Sequence, residues 1–287
     1  MTGWLRRLPV VRDLLAMRDA ALGAARDRRD LLALAADAAV REILTSPKYQ
    51  DARRLARHEA QVFSQSGEDG ILAEIFRRVG TTDRRFVEIG VGDGLENNTT
   101  YLLSSGWQGV WLEGSEASVR RAQAHFREPI GRGALRIEQT IVTAESVVAS
   151  LAGASVPTEF DLLSVDVDRN TYYVWAALAG YRPRVVVVEY NSTMPPSDEW
   201  VVAYHPGKFW NRTNYFGASL KSYELLGRRM GYALVGCGLA GTNAFFVRED
   251  LVEQHFAAPF TAENHYEPPR YWLARVRPGH RPCFTDL

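Results

Sequence analysis

The chain has little cysteine, no surplus of one charge and no long apolar run. Cys237 and Cys283 are its two thiols in 287 residues, and neither stands in a CxxC pair or beside a histidine at ligand spacing. That pattern offers neither a structural zinc site nor a disulfide framework. Lys and Arg together number 34, as do Asp and Glu, so no overall field recruits nucleic acid. At the N-terminus Arg6, Arg7, Arg12, Asp13 and Arg18 interrupt the apolar residues. This excludes a signal-peptide core and a membrane span there and leads us to expect a cytoplasmic protein. Without a secretory signal, the Asn-x-Ser/Thr triplets at Asn97, Asn98, Asn191 and Asn211 carry no glycosylation meaning. Internal repeats and low-complexity segments are also lacking.

What is present is an ordinary globular composition, 46% hydrophobic and 24% charged, in a chain long enough to bury one large core. Residues 1–60 are rich in Ala, Leu and Arg and place Leu5, Leu8, Val11, Leu14 and Leu15 at helical spacing, which predicts two or three amphipathic helices. They carry 12 Lys and Arg against 8 Asp and Glu. Three fates stay open for such a basic extension: packing on the main domain, homodimer contact, or peripheral attachment to an anionic membrane surface. From Gln61 short β-branched runs alternate with helical stretches, the pattern of βαβ units on a parallel sheet. Strands are predicted over 85–89, 109–113, 135–139, 161–166, 185–190, 232–235 and 244–247. A short Gly-rich link joins the last two, which should therefore be antiparallel neighbours. The expected fold class is α/β, with a Rossmann-like, doubly wound, mostly parallel seven-stranded sheet whose last strand is antiparallel. It occupies 61–260, after the helical extension and before a tail over 261–287 that packs on it.

In an open α/β sheet ligands bind beyond the carboxyl ends of the strands, where strand order reverses. The loop after the first strand reads Glu88-Ile-Gly90-Val-Gly92-Asp-Gly94. Its glycines let backbone turn sharply and approach a ligand. Compared with the dinucleotide fingerprint, the third glycine comes one residue early and an acid, Glu88, sits in the strand end, suited to a cationic amino group. The next strand ends in Glu113-Gly114-Ser115, and Glu113 lies 23 residues after Gly90, the spacing at which an acid reaches ribose hydroxyls. Loop, acid and sheet together point to a nucleoside cofactor; a bare strand-to-helix turn would leave Glu88 and Glu113 unexplained.

Further motifs carry a resemblance. Phe63-Ser-Gln65-Ser-Gly67-Glu68-Asp69-Gly70-Ile71, the glycine loop with Glu96-Asn97-Asn98-Thr99, Ser164-Val-Asp166-Val-Asp168, Val187-Val-Glu189-Tyr-Asn191 and Gly217-Ala-Ser-Leu220 together resemble FkbM-related S-adenosylmethionine methyltransferases. The resemblance covers residues 60–250. It implies a methyltransferase fold, S-adenosylmethionine as cofactor and glycans or other saccharide products as the associated chemistry. It also implies that Gln65, Glu68 and Asp69 cover the methionine end of the cofactor and that Thr143-Ala144-Glu145 lie near its adenine. Where the family pattern continues Gly-Asn-Asp after the second aspartate, this chain has Arg169-Asn170-Thr171, so no acidic role is carried to position 171.

Methyl transfer needs an aligned acceptor whose proton is removed. Asp166 and Asp168 end the fourth strand, Glu189 and Asn191 the fifth, and adjacent strand ends lie about 5 Å apart. The four resemble the ligand set of metal-dependent O-methyltransferases and suit Mg²⁺ or Mn²⁺. Two readings stay open beside the metal: one acid as general base, or Asp168 as a helix cap. Downstream, Trp200, Tyr204, His205, Phe209, Trp210, Tyr215 and Phe216 fall among prolines and glycines. Trp200, Tyr204, Trp210 and Tyr215 are expected to contact the acceptor, a subunit contact or packed lid being the alternative. His205 and His265 are candidate bases. The leading expectation is an O-methyltransferase acting on a saccharide or glycan-linked hydroxyl. The alternatives are a nucleotide-cofactor oxidoreductase, for which no Tyr-x-x-x-Lys pair is found, and a non-catalytic scaffold.

Overall fold

A computed structural model describes residues 9–273. Leu5, Leu8 and Cys283 lie outside the described residues, as do the side chains of Val11, Leu14 and Leu15 and the tail beyond 273. Where two or three helices are predicted before residue 60, one long helix forms, α1 (Pro9–Thr45), followed by short 3-10 turns at Pro47–Tyr49 and Leu55–His58. Ala, Leu and Arg are strong helix formers, no proline interrupts the stretch, and Pro47 stops it. The described residues up to Ser46 make one compact unit and those from Pro47 another. Residues 47–60 therefore go with the sheet: Lys48 Nζ and the Tyr49 hydroxyl both donate to Glu267, and Leu55 is buried in the core. Among the described residues, no helix is long and apolar enough to cross a membrane.

The second unit is the expected seven-stranded sheet. β1 (Arg85–Ile89), β2 (Gln108–Glu113), β3 (Leu135–Gln139), β4 (Leu162–Val165) and β5 (Val185–Glu189) run parallel, while β6 (Tyr232–Cys237) and β7 (Asn243–Arg248) form a terminal hairpin. Their order is β3-β2-β1-β4-β5-β7-β6, with β7 antiparallel to both neighbours. Between the strands lie α2 (Glu68–Val79, preceding β1), α3 (Thr100–Ser104), α4 (Glu116–His125), α5 (Arg127–Gly131), α6 (Val147–Gly153), α7 (Thr171–Ala177) and α8 (Leu220–Arg229); α9 (Ala262–His265) follows the hairpin. Ser115 and Ser219 cap α4 and α8 by accepting the amide hydrogens of Ser118 and Ser222.

Both sheet faces are buried. Val87 and Ile89 of β1 with Val186 and Val188 of β5 enter one apolar core, and Phe86, Val185 and Val187 enter the other. That is why β5 reads as an unbroken valine run instead of an alternating one. The consequence for function lies in the connections. From β1 the chain moves outward to β2 and β3, then returns to place β4 on the other side of β1. The carboxyl ends of β1 and β4 thus flank a crevice that no crossover covers.

Candidate functional site

The turn leaving β1 opens this crevice. Gly90 has φ +85°, and a Cβ there would stand 1.6 Å from the carbonyl oxygen of Asp166. Glycine is required because the ends of β1 and β4 touch at this point. Gly92, at φ +61°, has nothing within 4 Å of its missing Cβ and lines a cavity of about 450 Å³. Gly94 serves packing instead, since a Cβ would meet the rings of Trp111 and Phe126 at 2.7 Å. Beneath the loop Glu88 is buried and accepts from Asn97 Nδ2, the amides of Asn98 and Thr99, Thr99 Oγ1 and Ser164 Oγ. Burial pushes its carboxyl up to about 7 against those donors. Five donors saturate a carboxylate. Glu88 therefore holds the loop's shape and has no capacity left for an amino group. Asn98, whose Nδ2 donates to Ser164 Oγ, belongs to the same network.

Glu113 ties two loops together: one oxygen accepts from the Gly92 amide at 2.7 Å, the other from the Ser115 amide at 2.7 Å. It lines the cavity with Gly90, Gly92, Gly114, Ser115 and Asp166. The residues assigned to the methionine end lie off this lining. Gln65 is exposed. Asp69 is buried and accepts the amides of Val62, Phe63 and Ser64 at 2.7–2.8 Å. Glu68 accepts from the Ser66 amide and Asn243 Nδ2. These two acids shape the loop before α2, although the charge of Glu68 is felt at Asp166.

At the ends of β4 and β5, Asp166, Asp168 and Glu189 each place an oxygen within 4.8 Å of the others. Burial, then its acidic neighbours, raises Glu189 well above the carboxylate range, so of the pair it is the one that keeps its proton to the higher pH. Asp166 is raised less, by desolvation among the packed strand ends and then by Asp168, although its side chain is exposed to the cavity, where water weakens the effect. Asp168 is raised by burial and by Glu113 across the cleft. It has φ +53° and caps nothing, since Asn170 occupies the position before α7. Asn191 does not join the acids. Its Nδ2 donates to the carbonyls of Asn214 and Phe216, and its Oδ1 accepts from the Thr193 amide and hydroxyl.

The 30 residues between β5 and α8 form an excursion closed at its base by a Val201–Ala218 bridge. The segment after β4 holds it down. Arg169 donates to the Ala203 carbonyl at 3.0 Å and stacks its guanidinium 4.9 Å from the Tyr215 ring. Asn170 Nδ2 donates to the His205 carbonyl, and the Tyr173 hydroxyl to that of Val202. Tyr204 then reaches the loop after β3, donating to Glu145 Oε2 at 2.6 Å and accepting the Ala144 amide at 3.2 Å. Trp200 packs on Tyr215, and Trp210 is half exposed with its indole nitrogen on the Thr213 carbonyl. His205 is exposed and folds its Nδ1 back onto the Gly207 amide. His265 is buried against Phe260; desolvation, with Arg54 and Lys48, lowers it to about 3, so it stays neutral and away from the chemistry.

Thr140, Ile141, Val142, Asn170, Pro206, Lys208 and Phe209 also line the cavity; of these the sequence offers no signal for Thr140, Ile141, Val142 and Lys208, while Phe209 belongs to the aromatic run. The aromatic run marked the right segment, but which wall it reaches depends on anchors made by Arg169 and Asn170.

No family model and no curated protein matches the chain. Solved structures that share its architecture include the magnesium protoporphyrin IX methyltransferase ChlM from Synechocystis PCC 6803 with bound S-adenosylmethionine. It is 13% identical over 74% of this chain and 97% of that one, at a TM-score of 0.42. The N-terminal domain of EvdMO1, solved with S-adenosylhomocysteine and D-fucose, is 15% identical over 63% and 80%, at 0.40. The methyltransferase domain of bacterial CtHen1 is 15% identical over 64% and 97%, at 0.39. Likenesses at this level leave the reading of function to the geometry of the site, and what that geometry has in hand is a Rossmann-like sheet with one lined crevice at its switch point.

Proposed function

We propose that this protein is an S-adenosylmethionine-dependent O-methyltransferase, akin to the FkbM-related enzymes, that acts on a hydroxyl of a saccharide or glycan-linked metabolite. The observation that carries this is one cavity running across four strand ends, with the acid Glu113 at β2, the close-approach turn Gly90–Gly92 at β1, and Asp166 and Asp168 after β4. The residues fit the cofactor. Each oxygen of Glu113 takes one amide hydrogen and retains a lone pair for a ribose hydroxyl. Asn170, on the lining, has a buried Oδ1 with no donor among the described residues.

When bound, the cofactor supplies a sulfonium methyl group. Asp166 takes the acceptor's proton, its basicity brought nearer neutrality by burial and by Asp168, while Glu189 stays protonated beside it; two carboxyls pushed apart in this way divide the roles of base and support. The same three carboxylates would hold a hard divalent cation, Mg²⁺ or Mn²⁺, which would orient the acceptor oxygen. The half-exposed rings of Trp210 and Tyr215 offer faces for a sugar. The test is calorimetry with S-adenosylhomocysteine and NAD, followed by transfer from methyl-labelled cofactor to a panel of glycosides with and without EDTA. Binding of S-adenosylhomocysteine alone, and at least about a hundredfold loss of rate in Asp166→Asn, is expected. Binding of NAD in its place overturns the proposal, and full activity in EDTA removes the metal.

A further inference from the structure

We propose that the excursion after β5 completes the pocket for the cofactor's adenine ring, with Pro206 and Phe209 facing Ile141 and Val142, and that the Tyr204–Glu145 hydrogen bond is the latch that holds this wall in place. The inference rests on the cofactor reading above and adds to it a binding wall and a positioning residue.

Direction along the cavity follows from the sheet. The lining runs from Asp166 after β4, past Gly90 at β1 and Glu113 at β2, to Thr140–Val142 after β3. With strands about 5 Å apart, this spans roughly 15 Å, the reach of an extended nucleoside with its side arm. If the ribose sits on Glu113 and the transferable methyl by Asp166, the base lies beyond Glu113, toward β3. At that end the lining is apolar. Ile141 is 55% exposed and Phe209 65% exposed, yet both line the same cavity. Two large apolar side chains from distant segments, each uncovered by protein and facing one slot, suit a flat heteroaromatic ring, which would bury them.

Phe209 reaches this position only because the excursion is carried across the crevice. It leaves β5, is pinned by Arg169, Asn170 and Tyr173 after β4, and is fixed at its far side by Tyr204. The Tyr204 ring leans on Tyr173 at 4.8 Å, and its hydroxyl closes on both Glu145 and the Ala144 amide. Thr143, Ala144 and Glu145 do not line the cavity, so Glu145 serves the base through Tyr204 and not by contact. Lys208, between the two wall residues, also lines the cavity.

The test measures binding of S-adenosylhomocysteine and 5′-methylthioadenosine to the full chain. Phe209→Ala should raise both dissociation constants about tenfold, the scale of one lost ring contact with its buried area. Tyr204→Phe should raise them several-fold and Glu145→Gln, whose amide oxygen is a weaker acceptor for the same hydroxyl, by less, and the double variant should be no worse than Tyr204→Phe alone, because both act on one shared bond. Dissociation in a stopped-flow displacement should quicken in step, while the melting temperature of the ligand-free protein stays put. A wild-type protein that binds neither compound sinks the cofactor reading and this wall with it. A wild-type protein that binds both, with Phe209→Ala and Tyr204→Phe unchanged, overturns the wall alone, and additive effects of Tyr204→Phe and Glu145→Gln overturn the latch.

Discussion

Glu113 shows how one side chain joins architecture to recognition. Both of its oxygens are committed to amides that fix the turns after β1 and β2, so its removal costs the loop geometry as well as any bond to a ribose. Glu113→Ala should weaken S-adenosylhomocysteine binding by about 1.5–3 kcal/mol per lost charge-assisted bond. Glu113→Gln, which keeps the size but replaces one acceptor with a donor facing an amide, should recover little of the loss. Calorimetry decides, and unchanged affinity in either variant would remove Glu113 from the cofactor site. The places of Glu113 and Gly90 on the cavity were legible in sequence, because spacing sets the one and backbone freedom the other. Glu88 and Asn191 were not. Each reads as a free ligand at a strand end, and each is saturated by partners that only the fold brings near, Asn97 to Thr99 and Ser164 for one and residues 193 to 216 for the other.

At the scale of elements, the strands were readable because burial on both faces selects β-branched runs such as Val185–Val188, which helices do not favour. Periodicity reports a face and says nothing of where a helix stops, so the sequence does not show that α1 runs unbroken to Thr45, just ahead of Pro47, with only short 3-10 turns after it. The excursion was readable as an aromatic loop, but its course was not, since Arg169 sets it. That side chain is buried, donates to the excursion's carbonyls and stacks on Tyr215. Arg169→Lys keeps the charge but cannot reproduce the planar stack together with the Ala203 bond. It should speed proteolytic cleavage and amide exchange within residues 203–216 while β1, β4 and β5 keep their protection. Uniform loss of protection across the sheet would show that Arg169 supports the core and not the excursion.

For the whole molecule, the buried acids set the pH profile of stability. Glu88 is raised to about 7, Glu59 to about 8, and Glu189 well above its usual range, in each case first by burial. An unfolded carboxyl titrates near 4. Between that value and the raised ones the folded state therefore holds protons that the unfolded chain has released, and stability must fall as pH rises, by about 1.4 kcal/mol per pH unit for each retained proton. His265 acts in the other direction. Lowered to about 3 in the folded state, it contributes stability that is complete above its unfolded value near 6.5 and is lost as pH falls below it. His58 is lowered by burial as well, and two histidines against three carboxyls still leave the slope downward from about pH 5 to 7. Glu88 is only 3% exposed, but its five donors favour the ionised form and offset part of its shift, and Asp166 opens onto the cavity, where water screens its own. Melting followed from pH 5 to 8 should show the decline. A divalent cation seated between Asp166, Asp168 and Glu189 must first expel the Glu189 proton, so Mg²⁺ should raise the melting temperature more at pH 8 than at pH 5. Its binding should also release about one proton, read from calorimetry in buffers of different ionisation enthalpy. A profile that rises from pH 5 to 8 would mean that these carboxyls are ionised inside the fold. Cation binding without proton release would place the ion away from Glu189.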